Sequence, residues 1–257
     1  MRIVTLNMWK NEGDLPRRLI AIAEGLRALN PDVVLLQEVF RTMDDAVHSG
    51  RSLAEDLGLT LVYAPARRKP RRWQNTGVMS ESGLAVLVRG LVDAHKHAPL
   101  PGDERGGERI ALFVRALVGE ARVSVASVHL SHLRDDDAGR RDQLAAVFMD
   151  AFWRQSADVR VAGGDCNATI ESLALDTIAV DPAFRIQPIP MQRHVRSTHP
   201  FPLRADRSGR LIDHLFLFVP LDGRAWAPPP SRLALDEPIR GVQPSDHAAV
   251  IADLSLA

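Results

Sequence analysis

The 257-residue sequence holds a single cysteine, Cys166, so an intrachain disulfide is excluded and the fold must rest on its core. It also lacks net charge, since 32 Lys and Arg balance 32 Asp and Glu. That removes any global attraction to a polyanion and leaves the task to local basic patches. No apolar run approaches the roughly 20 residues that span a bilayer. The start, Met1-Arg2-Ile3-Val4-Thr5-Leu6-Asn7, lacks the cationic segment, apolar stretch and cleavage site of a secretory signal. These absences lead to the expectation of a cytoplasmic protein without a membrane span. No internal repeat or linker divides the chain, so one domain over residues 1–257 is expected. Hydrophobic residues make up 46% and charged residues 25%, ordinary for a soluble globular protein of a size that buries a large core.

The chain opens on a short strand-like run, Arg2 to Asn7. Leu15, Leu19, Ile22, Leu26 and Leu29 then recur at helical spacing, with Asp14 as the cap, Pro16 in the first turn and Asn30-Pro31-Asp32 as the stop. Val33-Val34-Leu35-Leu36 reads as a strand buried on both faces, which delivers Gln37 and Glu38 at its end. A second helix is predicted over 52–57 and a strand over 59–63. Further strands are predicted over 83–88, 109–118, 121–130, 159–162, 211–219 and 248–254, with a helix over 138–155. The Pro- and Arg-rich stretches 187–209 and 226–244 lack periodicity and read as long loops of the kind that often carry function.

The polar residues of interest sit where strands end. Asn7, Glu38, His129 and Asp165 each follow an apolar run, Asp213 lies in another, and Asp246-His247 precedes the last. Polar side chains so placed can converge on one rim of a sheet. A carboxylate such as Glu38 is expensive to bury unpaired, and magnesium, which prefers a few carboxylates plus waters and phosphate, would offset that cost. Asn7 can offer a carbonyl oxygen to the same metal. Read singly, Glu38 also fits a surface glutamate and Asn7 a strand-end cap. Gly163-Gly164 permits a tight turn before Asp165-Cys166-Asn167. In extended backbone Asp165 and Asn167 face the same way, the first able to orient or deprotonate a water and the second able to hold a phosphoryl oxygen; an Asx-type turn is the plainer alternative. Cys166 would point away and reads as a buried structural thiol. His247 could hydrogen-bond a phosphoryl oxygen with Asp213 fixing its tautomer and raising its pKa, and His129 would add a second donor.

Leu6-Asn7-Met8-Trp9, Leu36-Gln37-Glu38-Val39, Ser127-Val128-His129-Leu130, Gly163-Gly164-Asp165-Cys166-Asn167, Leu211-Ile212-Asp213-His214 and Ser245-Asp246-His247 occur in this order. Together they resemble the motifs of the endonuclease/exonuclease/phosphatase superfamily, over nearly the whole chain. The resemblance implies an α/β fold, a four-layer α/β/β/α sandwich with two mainly antiparallel sheets flanked by helices. It implies Mg-dependent hydrolysis of phosphate esters, with manganese as an acceptable substitute. Glu38, Asn7 and Asp246 would hold the metal, Asp165 would position or deprotonate the attacking water, and Asn167 would bind the phosphate. His247, oriented by Asp213, would stabilise the transition state, and His129 would contact a phosphoryl oxygen. Two positions depart from the family pattern, His214 where an aromatic residue is usual and Cys166 where Phe or Leu is usual. Both lie outside the residues just named.

For the substrate the sequence offers two basic sets. Arg67, Arg68, Lys69, Arg71 and Arg72 surround Pro70 with Trp73 next, and Arg193, Arg196, Arg204, Arg207 and Arg210 precede Asp213. Arg68, Arg71, Trp73 and Arg196 are the candidate substrate contacts, through charge and base stacking. A solvated loop is the bland account of the first set. The leading expectation is a phosphodiesterase or nuclease whose partner is a phosphate-ester substrate, nucleic acid included, with no obligate protein partner. The alternative is a phosphatase or phosphodiesterase for small-molecule or lipid-headgroup phosphates, which neutral charge favours; a binding module of the same fold that has lost catalysis is the remote one.

Overall fold

The computed structural model describes residues 1–102, 105–198, 209–222 and 228–255. In chain order the elements are β1 (Arg2–Asn7), α1 (Leu15–Leu29), β2 (Val33–Thr42), α2 (Ser49–Leu57), β3 (Thr60–Trp73), β4 (Thr76–Val88), β5 (Leu91–Pro99), β6 (Ile110–Val118), β7 (Ala121–His129), α3 (Asp137–Phe148), β8 (Val159–Asp165), α4 (Ile170–Leu173), β9 (Phe184–Pro188), β10 (Asp213–Pro220), β11 (Arg232–Ala234) and β12 (Ala249–Asp253). They form two six-stranded sheets, ordered β11-β12-β1-β2-β4-β3 and β5-β6-β7-β8-β10-β9. Among the described residues, all pairings between these strands are antiparallel except β1 with β2 and β7 with β8. This is the expected sandwich.

The layering follows from alternation along strands that are buried on both faces. Ile3, Val33, Leu35, Val86, Leu112, Val125, Val161 and Leu217 point between the sheets. Their neighbours Val4, Leu6, Val34, Leu36 and Leu87 point outward and meet Ile22, Ala23 and Leu26 of α1 and Leu53 of α2. On the other outer face Phe113, Val128, Phe216 and Phe218 meet Leu144, Val147 and Phe148 of α3 and Leu173 of α4. A sheet covered on both faces needs apolar residues at consecutive positions, which is why β2 reads as an unbroken run. Asp14 caps α1 by accepting from the Arg17 amide at 3.2 Å, and Asn30, at φ 49°, ends it.

Several expected boundaries move. The Arg-rich stretch is not a loop. It lies on β3, which runs to Trp73 and pairs with β4 as far as Thr76 through a two-residue turn at Gln74 and Asn75, both with positive φ. The helix expected over 138–155 stops at Phe148. Phe152 and Trp153 continue the apolar pattern from a separate 3-10 turn that Asp150 caps. β5, β9 and β11 were not foreseen. The long loops at 187–209 and 226–244 are described only in part, and Arg204, Arg207 and Trp226 lie outside the described residues. Among the described residues, no helix is long and apolar enough to cross a membrane.

His48 caps α2 in its neutral form, since Nδ1 accepts from the Arg51 amide at 3.3 Å while the ring stands edge-on to Tyr63. Burial, and then Arg51, pull its pKa down to about 4. The unfolded chain takes up that proton near the ordinary value, so the stabilisation is complete above about pH 6.5 and is lost as pH falls from there to about 4. Urea unfolding is expected to show about 2–3 kcal/mol more acid loss in wild type over this window than in His48→Asn, which keeps a capping acceptor without a titrating ring. Equal losses in the two proteins would refute this assignment.

Candidate active site

The two parallel pairs bring strand ends together. In register, Asn7 stands opposite Gln37 and His129 opposite Asp165, and antiparallel β10 begins with Asp213 opposite Asp165. Gln37 ties the sheets at this level, donating from Nε2 to Thr5 Oγ1 and to Ser127 Oγ, each at 3.1 Å. Residues from both sheets therefore meet at one rim.

At the centre is Asp165, fully enclosed. Its Oδ2 accepts from Asn7 Nδ2 at 3.0 Å and its Oδ1 from the Asn167 amide at 2.9 Å. His129 Nε2 lies 3.4 Å from Oδ2 and His247 Nε2 3.7 Å from it. Burial raises the Asp165 pKa above the ordinary carboxylate value against the pull of His247, and nearby Asp213 adds to the rise. His247 gives its other ring nitrogen to Asp213, with Nδ1 2.9 Å from Oδ2. Burial works against its charged form, but Asp213 and Asp165 outweigh it and lift the pKa to about 10. His129 goes the other way, held well below 6.5 by burial and then by Arg109. Asp165 thus faces a charged ring at His247 and a neutral one at His129.

Glu38 is not at the end of its strand. It sits within β2 at a bulge, where the register with β4 slips between Leu36 and Val39, and its φ is 57°. The bulge re-aims its carboxylate, and Lys10 Nζ meets Oε1 at 2.5 Å. Asp246 has its pKa raised to about 6, chiefly by burial, with Glu38 and Asp165 adding repulsion against the pull of His247. Asn7 already accepts from the Trp9 amide at its Oδ1, 3.0 Å away, which leaves one lone pair there.

Gly163 and Gly164 do not make a turn. β8 runs straight through them, and glycine is required because the backbone is crowded: a Cβ on Gly164 would lie 1.9 Å from the Val128 carbonyl oxygen, and its φ of 149° suits no other residue. Asn167 is not extended either. Its φ is 51°, its amide bonds Asp165 in an Asx-type turn, and its Nδ2 donates to the Leu130 carbonyl at 3.1 Å. Cys166 is buried and burial raises its thiol pKa, in keeping with a structural role. His214 bonds the Ala168 carbonyl at 2.9 Å, away from the rim.

Of the four expected substrate contacts, Arg71 and Trp73 line a groove of about 740 Å³ that reaches Lys10. Arg71 is committed to its own hairpin, donating to Ser80 and Ser82. Arg68 is exposed and lines a different cleft. Arg196 folds back on the Arg193 and Val195 carbonyls of its own loop and is not brought to the centre.

Sequence reasoning missed Lys10, Arg18, Arg109 and His132. Arg18, on α1, uses five donor contacts on five main-chain carbonyls, those of Met8, Trp9, Lys10, Glu12 and Pro244. Burial pulls its pKa to about 10, against Asp246 and other acids that raise it, so it stays charged. It ties the loop that carries Lys10, where Trp9 and Lys10 both have positive φ, to the segment before Asp246. Arg109 Nη2 lies 2.6 Å from His132 Nδ1 and Nη1 reaches the His129 carbonyl at 3.4 Å. The one available signal was a charged residue at the start of a predicted strand, Arg109; the others carried none.

Asp165, Asp213 and His247 can each bring one ligand atom within 4.8 Å of the others. Asp213 and Asp165 favour the protonated form of His247, and a protonated ring offers no lone pair to a metal, so proton handling suits this trio. Glu38, Asn7 and Asp246 are the better match to a divalent cation. Their donors are all oxygen, the set that suits magnesium or manganese. Glu38 and Asp246 repel each other, and an ammonium already stands against Glu38.

Residues 4–247 match the model of a family described as Endonuclease/Exonuclease/phosphatase. Among solved structures, the chain is similar to D. rerio TDP2 complexed with a single-strand DNA product (TM-score 0.72, 16% identity, 98% of this chain and 97% of that one). It is also similar to an endonuclease/exonuclease/phosphatase family protein from Leptotrichia buccalis C-1013-b (0.72, 13%, 99% and 99%) and to one from Beutenbergia cavernae DSM 12333 (0.71, 21%, 100% and 71%). The comparison with curated protein sequences finds no match.

Proposed function

The chain belongs to the endonuclease/exonuclease/phosphatase family, and from that premise we propose that it is a divalent-metal-dependent phosphodiesterase acting on nucleic acid. The observation that carries the reading is the array Asn7–Asp165–His247–Asp213, hydrogen-bonded at its two ends and joined by a 3.7 Å contact between Asp165 and His247, with Glu38 and Asp246 at the same rim. Asp165 takes a proton from water. Its raised pKa makes it a stronger base than an ordinary carboxylate, and Asn7 and the Asn167 amide fix its two oxygens. Charged His247 offers Nε2–H to the phosphoryl oxygen on which negative charge grows, while Asp213 holds the opposite nitrogen. Neutral His129 supplies a second ring nitrogen beside Asp165. Asn167 has one amide hydrogen left for a phosphoryl oxygen. Glu38, Asn7 and Asp246 would hold magnesium or manganese, which when bound neutralises charge on the phosphoryl group.

Nucleic acid is favoured by the basic hairpin beside the rim, and by the single-strand DNA product bound to the similar D. rerio protein. Zero net charge favours the second reading, a phosphatase or phosphodiesterase for small-molecule or lipid-headgroup phosphates. A panel of single-stranded and duplex oligonucleotides with sugar, inositol and lipid phosphates, run with magnesium, manganese or EDTA, separates them. Expected is cleavage of oligonucleotides with either metal and none in EDTA. Turnover of phosphomonoesters alone would move the assignment to the second reading, and turnover in EDTA would overturn the metal requirement.

A further inference from the structure

A cleft of about 680 Å³ opens where the Pro65–Arg68 stretch of β3 faces the end of β5 and the segment leading into β6. The reaction described above leaves it unused. Arg67, Arg68, Arg109 and His97 line it, with Glu108 the one carboxylate among the described lining residues. Two features prepare it for an anion.

The first is Arg109. Its guanidinium is largely enclosed, its hydrogen bonds go to a carbonyl and a histidine ring, and its Nε has no partner. Burial lowers its pKa, Asp165 and Glu38 counter that, and the like charge of Arg67 adds to the lowering. Among the described residues no carboxylate stands within ion-pair distance of Arg109 or Arg67. A buried cation left in this state is costly, and an anion between the two guanidinium groups would offset the cost.

The second is the aim of Arg67. The register of β3 slips between Pro65 and Arg67, a bulge that turns this side chain. Gly107, at φ 71°, lies beneath it, and a Cβ there would come within 2.9 Å of Arg67 Nη1. Glycine at 107 leaves the guanidinium room against the backbone. Arg109 also joins the cleft to the reaction centre, since it feels Asp165 and Glu38 and donates to the His129 carbonyl.

We propose that this cleft is a second-phosphate subsite, in which Arg67 and Arg109 hold the phosphate group next to the one being hydrolysed. Guanidinium groups suit the purpose because each presents a planar pair of N–H donors to phosphate oxygens. The inference rests on the phosphodiesterase reading and narrows it to substrates bearing at least two phosphates, whether along a nucleic acid strand or on a polyphosphorylated small molecule.

Calorimetric binding of thymidine 3′,5′-bisphosphate and thymidine 5′-monophosphate tests it without turnover. The bisphosphate is expected to bind wild type about ten-fold more tightly. Arg67→Ala should erase most of that advantage and Arg67→Lys should restore part of it. Fructose 1,6-bisphosphate against fructose 6-phosphate is the second arm. An advantage in both arms supports the subsite for polyphosphorylated small molecules as well, and an advantage for the nucleoside alone supports it for a strand. No advantage in wild type, or equal weakening of mono- and bisphosphate by Arg67→Ala, overturns the proposal. An advantage in a protein that cleaves no phosphodiester would instead retire the phosphodiesterase reading and leave the subsite standing.

Discussion

Asp165→Asn is expected to lower kcat by about 10³-fold or more while KM changes little, because it removes the base and keeps the shape. The carboxylate now accepts one N–H on each oxygen, from Asn7 and from the Asn167 amide. An asparagine there keeps one acceptor and turns a donor towards the other N–H, so it also loosens the two groups that fix it. It further removes a charge that helps keep His247 protonated. The fold itself is not at risk. Burial opposes the ionised form of Asp165, which offsets part of the hydrogen bond lost, so the melting temperature is expected to fall only slightly. Single-turnover kinetics beside a thermal melt checks both parts. Activity within ten-fold of wild type would remove Asp165 from the chemistry.

The second large effect is expected from Asp213→Asn. Asp213 touches neither substrate nor water in the proposed reaction; it acts through His247 as a positioning residue, 2.9 Å from Nδ1. With it, His247 stays charged to about pH 10, so the alkaline limb of kcat/KM should fall near there, and the acid limb should lie above the ordinary carboxylate range because Asp165 is raised. The asparagine still accepts a hydrogen bond and keeps the ring in place, but the charge is gone. The alkaline limb is then expected to move down by two units or so towards the ordinary histidine value, with a loss of about two-fold at pH 8 that grows to about 50-fold at pH 10. A pH profile distinguishes this from simple structural damage, which would lower the whole curve without shifting its limb. An unshifted limb would mean that His247 is not the group that must stay protonated.

Much of this site could be read from the sequence, and the residues that escaped share a cause. β1, α1 and β2 were legible because a doubly covered sheet writes an unbroken apolar run and an amphipathic helix writes its 3.6-residue period. β5 was not, since it borders its sheet with only alternate residues half-buried, and His95, Lys96, His97 and Pro99 look like loop. Asp165, Asp213 and His247 stood out as acids and a histidine beside apolar runs. The bulge at Glu38 left no mark, because no glycine sits where φ turns positive. Gly163 and Gly164 suggested a turn when the constraint came from the Val128 carbonyl of a strand distant in sequence. Arg18 looked like one more surface arginine on a helix; the five carbonyls that bury it come from two separate loops. Each miss depends on which backbone passes near, and local pattern does not record that.

The fourteen residues of β3 form the border of the first sheet, so one side of that strand has unpaired backbone groups. A long open border is a template onto which another chain can add, the usual route from a folded protein to an aggregate. Here Pro65 and Pro70 each delete a donor, the slip before Arg67 breaks the regular spacing, and Arg67, Arg68, Lys69 and Arg72 project exposed positive charge along the strand. Two such borders facing one another would repel. The cations that crowd this arm therefore have a second use that owes nothing to phosphate. They oppose edge-to-edge pairing along β3, and neutral residues in their place would leave that open border less guarded.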